Sequence, residues 1–97
     1  MAAPLDRAAF DRLEKLLVFP TSFPLKVMGL RVDHFAQEIT ELVRTHIPEF
    51  DPSMIEMRVS SKGTYLSVTL NLEVSSRVQL EAVYVAVSAH PLVKIVL

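Results

Sequence analysis

The sequence predicts an α+β sandwich, an antiparallel sheet carrying two helices on one face, and three observations predict it. First, residues 54–74 read as a β-hairpin: Ile55, Met57 and Val59 alternate with Glu56, Arg58 and Ser60, and after Ser61-Lys62-Gly63 the apolar set resumes as Leu66, Val68, Leu70, Leu72 and Val74. The period is two on both sides of the turn, so each strand has one apolar face that must be covered. Second, Phe35, Ile39, Leu42, Val43 and Ile47 before the hairpin, and Leu80, Val83, Tyr84 and Val87 after it, recur at helical spacing and supply that cover. Third, a short apolar run stands outside each helix, Phe23, Leu25 and Val27 on one side and residues 92–97 on the other.

In chain order, residues 5–17 predict an amphipathic helix with Leu5, Ala9, Leu13 and Leu16 as its apolar stripe. Asp6, Arg7, Asp11, Arg12, Glu14 and Lys15 fill the other face. Such a helix lies on the domain as an extension, or serves as an arm for a partner or a second copy. Phe19-Pro20-Thr21-Ser22-Phe23-Pro24 breaks it, because proline removes a donor and pushes its predecessor out of the helical region. Residues 1–18 are therefore read as an extension and residues 19–97 as the domain.

The first strand alternates Phe23, Leu25 and Val27 with Pro24, Lys26 and Met28 and ends at Gly29. Asp33 is expected to cap the first core helix, whose back is Gln37, Glu38, Glu41 and Arg44, and Pro48 halts it. A linker over residues 49–53 carries Phe50, which is expected to be buried. The hairpin turn suits type I, with Ser60 first and Gly63 fourth, since glycine accepts a positive φ there. Ser76 and Gln79 make a capping box for the second core helix, which Pro91 ends, and residues 92–97 form a last strand that is apolar except for Lys94.

The order after the extension is strand, helix, strand, strand, helix, strand. A right-handed crossover over the first core helix leaves room for the third strand between the first and second, and the second helix returns the chain to the far side of the first strand. This is a ferredoxin-like βαββαβ sandwich with sheet order 4-1-3-2 and an extra N-terminal helix.

At 97 residues, 51% hydrophobic and 22% charged, the chain suits one layered core. It has no cysteine, which excludes a disulfide framework, a thiolate metal site and a cysteine nucleophile. A formal net charge of -1 removes the long-range attraction of a dedicated nucleic-acid binder. The start has no basic segment before an apolar run, and no stretch reaches the roughly 18 apolar residues of a membrane span. A cytoplasmic protein with no membrane contact is expected.

The segments Phe19-Pro20-Thr21, Phe23-Pro24-Leu25-Lys26-Val27-Met28-Gly29 and Ser60-Ser61-Lys62-Gly63-Thr64-Tyr65, with the terminal Val96-Leu97, resemble the YbeD-like family of small bacterial proteins. The resemblance runs from about Phe19 to the end. It implies a fold similar to ACT domains, regulatory modules that bind amino acids in metabolic enzymes, while the family's own biochemical function is uncharacterised. ACT domains commonly carry an Asp-x-Pro-Gly-like turn between first strand and first helix, and this chain has Gly29-Leu30-Arg31-Val32-Asp33 instead.

For function, the acidic residues fall mostly on solvent faces of helices, and His34, His46 and His90 each stand alone near a helix end. No catalytic residues, metal ligands or cofactor are expected. Ser60 and Ser61 beside Lys62 are explained by turn chemistry. RNA binding on the open sheet face is the alternative class. Lys62-Gly63 stands where the RNA-recognition octapeptide begins, but Thr64 and Leu66 occupy its aromatic positions, and Tyr65 is a lone platform beside Ser67, Thr69, Asn71, Lys26, Glu56 and Arg58. The preferred reading is a non-enzymatic regulatory or adaptor domain. The similarity to ACT domains, whose metabolite pocket tends to lie where the first strand meets the first helix, implies a small carboxylate ligand at Gly29, Leu30 and Arg31, the last holding the carboxylate. A protein partner or second copy would add to the terminal strand at Val93, Ile95 and Leu97, an apolar edge with Lys94 as its one charge.

Overall fold

A computed structural model describes residues 7–96. Helix α1 spans Arg7–Leu16, strand β1 Thr21–Leu30, helix α2 Phe35–His46, strand β2 Ile55–Val59, strand β3 Tyr65–Val74, helix α3 Arg77–Ser88 and strand β4 Val93–Val96, with one 3-10 turn at Pro52–Met54. The sheet is antiparallel in the order β2-β3-β1-β4, the expected 4-1-3-2 read from its other edge. The fold is therefore the ferredoxin-like sandwich, and α2 and α3 pack on each other over one face.

The registers place the predicted rows together. Phe23 faces Leu72, Leu25 faces Leu70 and Val27 faces Val68 across β1 and β3, and all of these are buried with Phe35, Ile39, Val43, Ile47, Leu80, Val83, Tyr84 and Val87. Phe50 is buried as expected. The hairpin turn closes by Gly63 N–H donating to Ser60 O at 2.9 Å, and Gly63 has φ 76, the region a Cβ disfavours. At the start of α3 the Ser76 hydroxyl accepts from Gln79 N–H at 3.1 Å; the Gln79 side-chain oxygen reaches one residue beyond the box, to Ser75 N–H at 2.8 Å.

Three local expectations are corrected. The residue at the N-cap of α2 is His34, not Asp33, and it makes no side-chain cap bond. The turn before it is closed instead by backbone, Phe35 N–H donating to Val32 O at 3.1 Å. Helix α1 docks through a different face from the expected stripe: Phe10 and Glu14 are buried, whereas Leu13 is exposed and Leu16 is 79% exposed. Phe10 stacks on Tyr84 of α3, and an aromatic partner outweighs the aliphatic stripe; Leu5 and the Ala9 side chain lie outside the described residues. Finally, the apolar row of β2 is not a core row. Ile55 is half-buried, but Met57 and Val59 are 62% and 47% exposed, because the helix layer stops short of this edge strand.

Candidate functional site

The expected ligand turn leaves β1 at Gly29. A Cβ on Gly29 would run into the Leu92 carbonyl and the Phe35 ring, so this glycine lets β1, α2 and the segment before β4 pack in contact. Leu30 N–H donates to Leu92 O at 3.3 Å, Arg31 N–H to Thr64 O at 3.0 Å and Val32 N–H to Leu30 O at 3.0 Å. The backbone donors of these residues are thus used inside the chain. Arg31 is exposed, and its Nη1 donates to Gly63 O at 3.4 Å, tying the turn to the hairpin tip. It stands at a groove of about 640 Å³ lined also by Val32, Ala36, Met57 and Leu66. Of the three expected residues, only the Arg31 side chain faces that groove.

Two histidines expected to be solitary converge on one carboxylate. His90 Nε2 lies 2.9 Å from Glu38 Oε1, and His34 Nε2 lies 3.3 Å from Glu38 Oε2. His90 Nδ1 accepts the Leu92 N–H at 3.1 Å, so the proton of the neutral ring sits on Nε2 and is donated to Glu38. Both ring nitrogens are engaged, and the arrangement clamps α2 to the α3–β4 junction. The spacing of His34 and Glu38, one helical turn apart, was the available signal in sequence; the 52-residue separation of Glu38 from His90 was not readable. Among the described residues, no group of three or more histidine, cysteine, aspartate and glutamate side chains is arranged to hold a metal ion.

A second hollow of about 400 Å³ lies where β2 starts too late to cover the end of β3, since Ile55 already faces Leu70. Ile47, Phe50 and Met54 form its apolar wall, with Asn71, Glu73 and Gln79 around it. Asp51 at its rim accepts the Ser53 N–H at 2.9 Å, and this bond holds its carboxyl below the usual carboxylate range.

The two sheet edges differ. In β4, Met28 of β1 faces Ile95 but Gly29 faces Val93, so Lys94 is the extra residue of a bulge. Val93 and Val96 are buried, Ile95 is 37% exposed, and Leu97 lies outside the described residues. A bulge and a lysine together are a usual guard of an edge. Strand β2 pairs with β3 residue for residue from Ile55 to Val59 without a bulge. Ser60 N–H donates to Tyr65 O at 2.9 Å. Because bonded pairs alternate in an antiparallel ladder, the amide and carbonyl groups of Ile55, Met57 and Val59 point away from β3. Glu56 and Arg58 project from the open face on either side of Met57, and among the described residues neither has an ion-pair partner in the chain. The alternation that marked β2 as a strand did not reveal that its apolar row is uncovered.

No helix among the described residues is long and apolar enough to cross a membrane. Residues 14–97 match the model of a family described as protein of unknown function DUF493. The chain is 47% identical over 92 residues to a UPF0250 protein of Ralstonia nicotianae, a match covering 95% of each. It is 48% identical over 87 residues to a UPF0250 protein of a Janthinobacterium species, covering 90% of this chain and 96% of the relative. A UPF0250 protein of Nitrosomonas europaea is 39% identical over 84 residues, covering 87% and 97%.

Proposed function

The chain belongs to the DUF493 family of proteins of unknown function, and from that premise we propose that it is a non-enzymatic domain of regulatory or adaptor type that binds a protein partner along an open sheet edge. The observation that carries this reading is β2: a straight edge strand with outward backbone groups and an apolar row, Met57 and Val59, left in solvent. Edge strands are often broken by a bulge or covered by another element, and a regular, uncovered one is a template for strand addition. The bulge at Lys94 makes β4 the poorer template and moves the expected contact from Val93 and Ile95 to β2.

Binding of a small carboxylate is the weaker reading, because Gly29 and Leu30 are occupied in packing and pairing and only the Arg31 guanidinium remains. RNA binding is weaker still: the open face offers Tyr65 as an exposed ring among Ser67, Thr69, Asn71 and charges of both signs.

The test is affinity purification from the native host with wild type and Met57→Pro. Proline at 57 removes an N–H that points outward and leaves the ladder to β3 intact. A protein retained by wild type and lost from the variant, with the variant's melting temperature near wild type, is the expected result. Identical retention by both would refute the edge reading.

A further inference from the structure

Resting on the strand-addition reading, we infer that the partner fitting this edge is a second copy of the chain, its β2 paired antiparallel to the first about a two-fold axis at Met57. The sequence of the strand is Ile55-Glu56-Met57-Arg58-Val59, with opposite charges equidistant from its centre. With the axis perpendicular to the sheet at Met57, Glu56 of each copy faces Arg58 of the other, Ile55 faces Val59, and Met57 faces Met57. Charges then meet opposite charges on the open face, and apolar side chains meet on the helix side.

The register is selective. Two-fold pairing must keep each row on its own face, so the axis falls on a residue rather than between residues of opposite faces. An axis at Glu56 or Arg58 would set like charges directly against each other. An axis at Ile55 or Val59 would leave half of β2 unpaired. At Met57 the outward amides and carbonyls of Ile55, Met57 and Val59 all find partners. Met57 and Leu66 line the groove of about 640 Å³ beside this strand, and the second copy's apolar row extends over it. The sheet continues from one copy into the other with the helices on the same face, and the exposed edge disappears.

The experiment uses the purified full chain and sedimentation equilibrium. Wild type is expected as a dimer. Glu56→Arg and Arg58→Glu, both at exposed positions, should each raise the dissociation constant by about tenfold or more, because each creates two like-charge contacts per dimer. Mixing the two single variants should restore a mixed dimer, and the double variant E56R/R58E should restore a self-pairing one. Met57→Cys, the only cysteine then present, should form a disulfide between copies on mild oxidation, since Cα atoms of a bonded antiparallel pair lie about 5.5 Å apart. A monomeric wild type, or a dimer indifferent to both charge swaps, overturns the inference. If wild type is monomeric but Met57→Pro still loses a host protein, pairing with a second copy fails and strand addition stands; if Met57→Pro changes nothing, both fail.

Discussion

Phe10 and Tyr84 stack with ring centroids 3.9 Å apart and planes 13° from parallel, and this contact carries the docking of α1 on α3. Arg77 Nη2 adds a longer bond to the Glu14 carbonyl at 3.4 Å. Truncating an aromatic in a closed core costs about 3–5 kcal/mol. Helix α1 can instead leave the surface, so Phe10→Ala is expected to cost about 1–2 kcal/mol. Trypsin should then cut faster after Arg12 and Lys15 while the sheet persists. Unchanged cleavage would show that the ring contact does not hold the helix.

Gly29→Ala is expected to destabilise the domain with no ligand present. The new Cβ meets the Leu92 carbonyl, which is itself bonded to Leu30 N–H, and the buried Phe35 ring. Neither neighbour can give way without opening the β1–β4 junction, and overpacking of this kind costs about 1–3 kcal/mol. The urea midpoint should fall with an unchanged slope. A wild-type midpoint would mean that the glycine is not there for packing.

His90→Ala removes the acceptor of Leu92 N–H and the donor to Glu38 together. An expected loss of about 1–3 kcal/mol follows from a polar group left without its partner. In a double-mutant cycle with Glu38→Ala, the coupling should be about 0.5–1.5 kcal/mol, one hydrogen bond's net contribution. Additive effects would mean that His90 acts through Leu92 alone.

Features set by local chemistry were legible in the sequence. The Ser60 to Gly63 turn, the Ser76 cap and the Val68, Leu70, Leu72 row each depend on residues within a few positions, and each is found where it was expected. Features set by what lies opposite were not. Alternation says which side of β2 is apolar, but not that Met57 and Val59 on that side stay exposed. Helical spacing offers α1 more than one apolar face, and the choice of Phe10 depends on Tyr84, far along the chain. A bulge such as that at Lys94 leaves no mark on an apolar run, since it is a mismatch with the neighbouring strand.

Substitution with lysine should separate the two edges. Ile95 and Met57 are both exposed apolar residues on edge strands, so a contact driven by loose hydrophobic attraction would respond to lysine at either. Strand addition responds differently, because it needs a straight row of outward backbone groups. At β4 that row is broken where Lys94 bulges between Val93 and Ile95, so Ile95→Lys should leave both the size in solution and the retained partners unchanged. At β2 the row is intact, and Met57→Lys sets a charge on the apolar side of the added strand, directly opposite its partner residue. Association should weaken by about tenfold or more, the penalty for a charge at the centre of a strand pair. Thermal melts of both variants at concentrations too low for association should stay close to wild type, because neither side chain is part of the buried core. Equal responses at the two positions, by analytical ultracentrifugation and by co-purification, would exclude β2 as the specific edge.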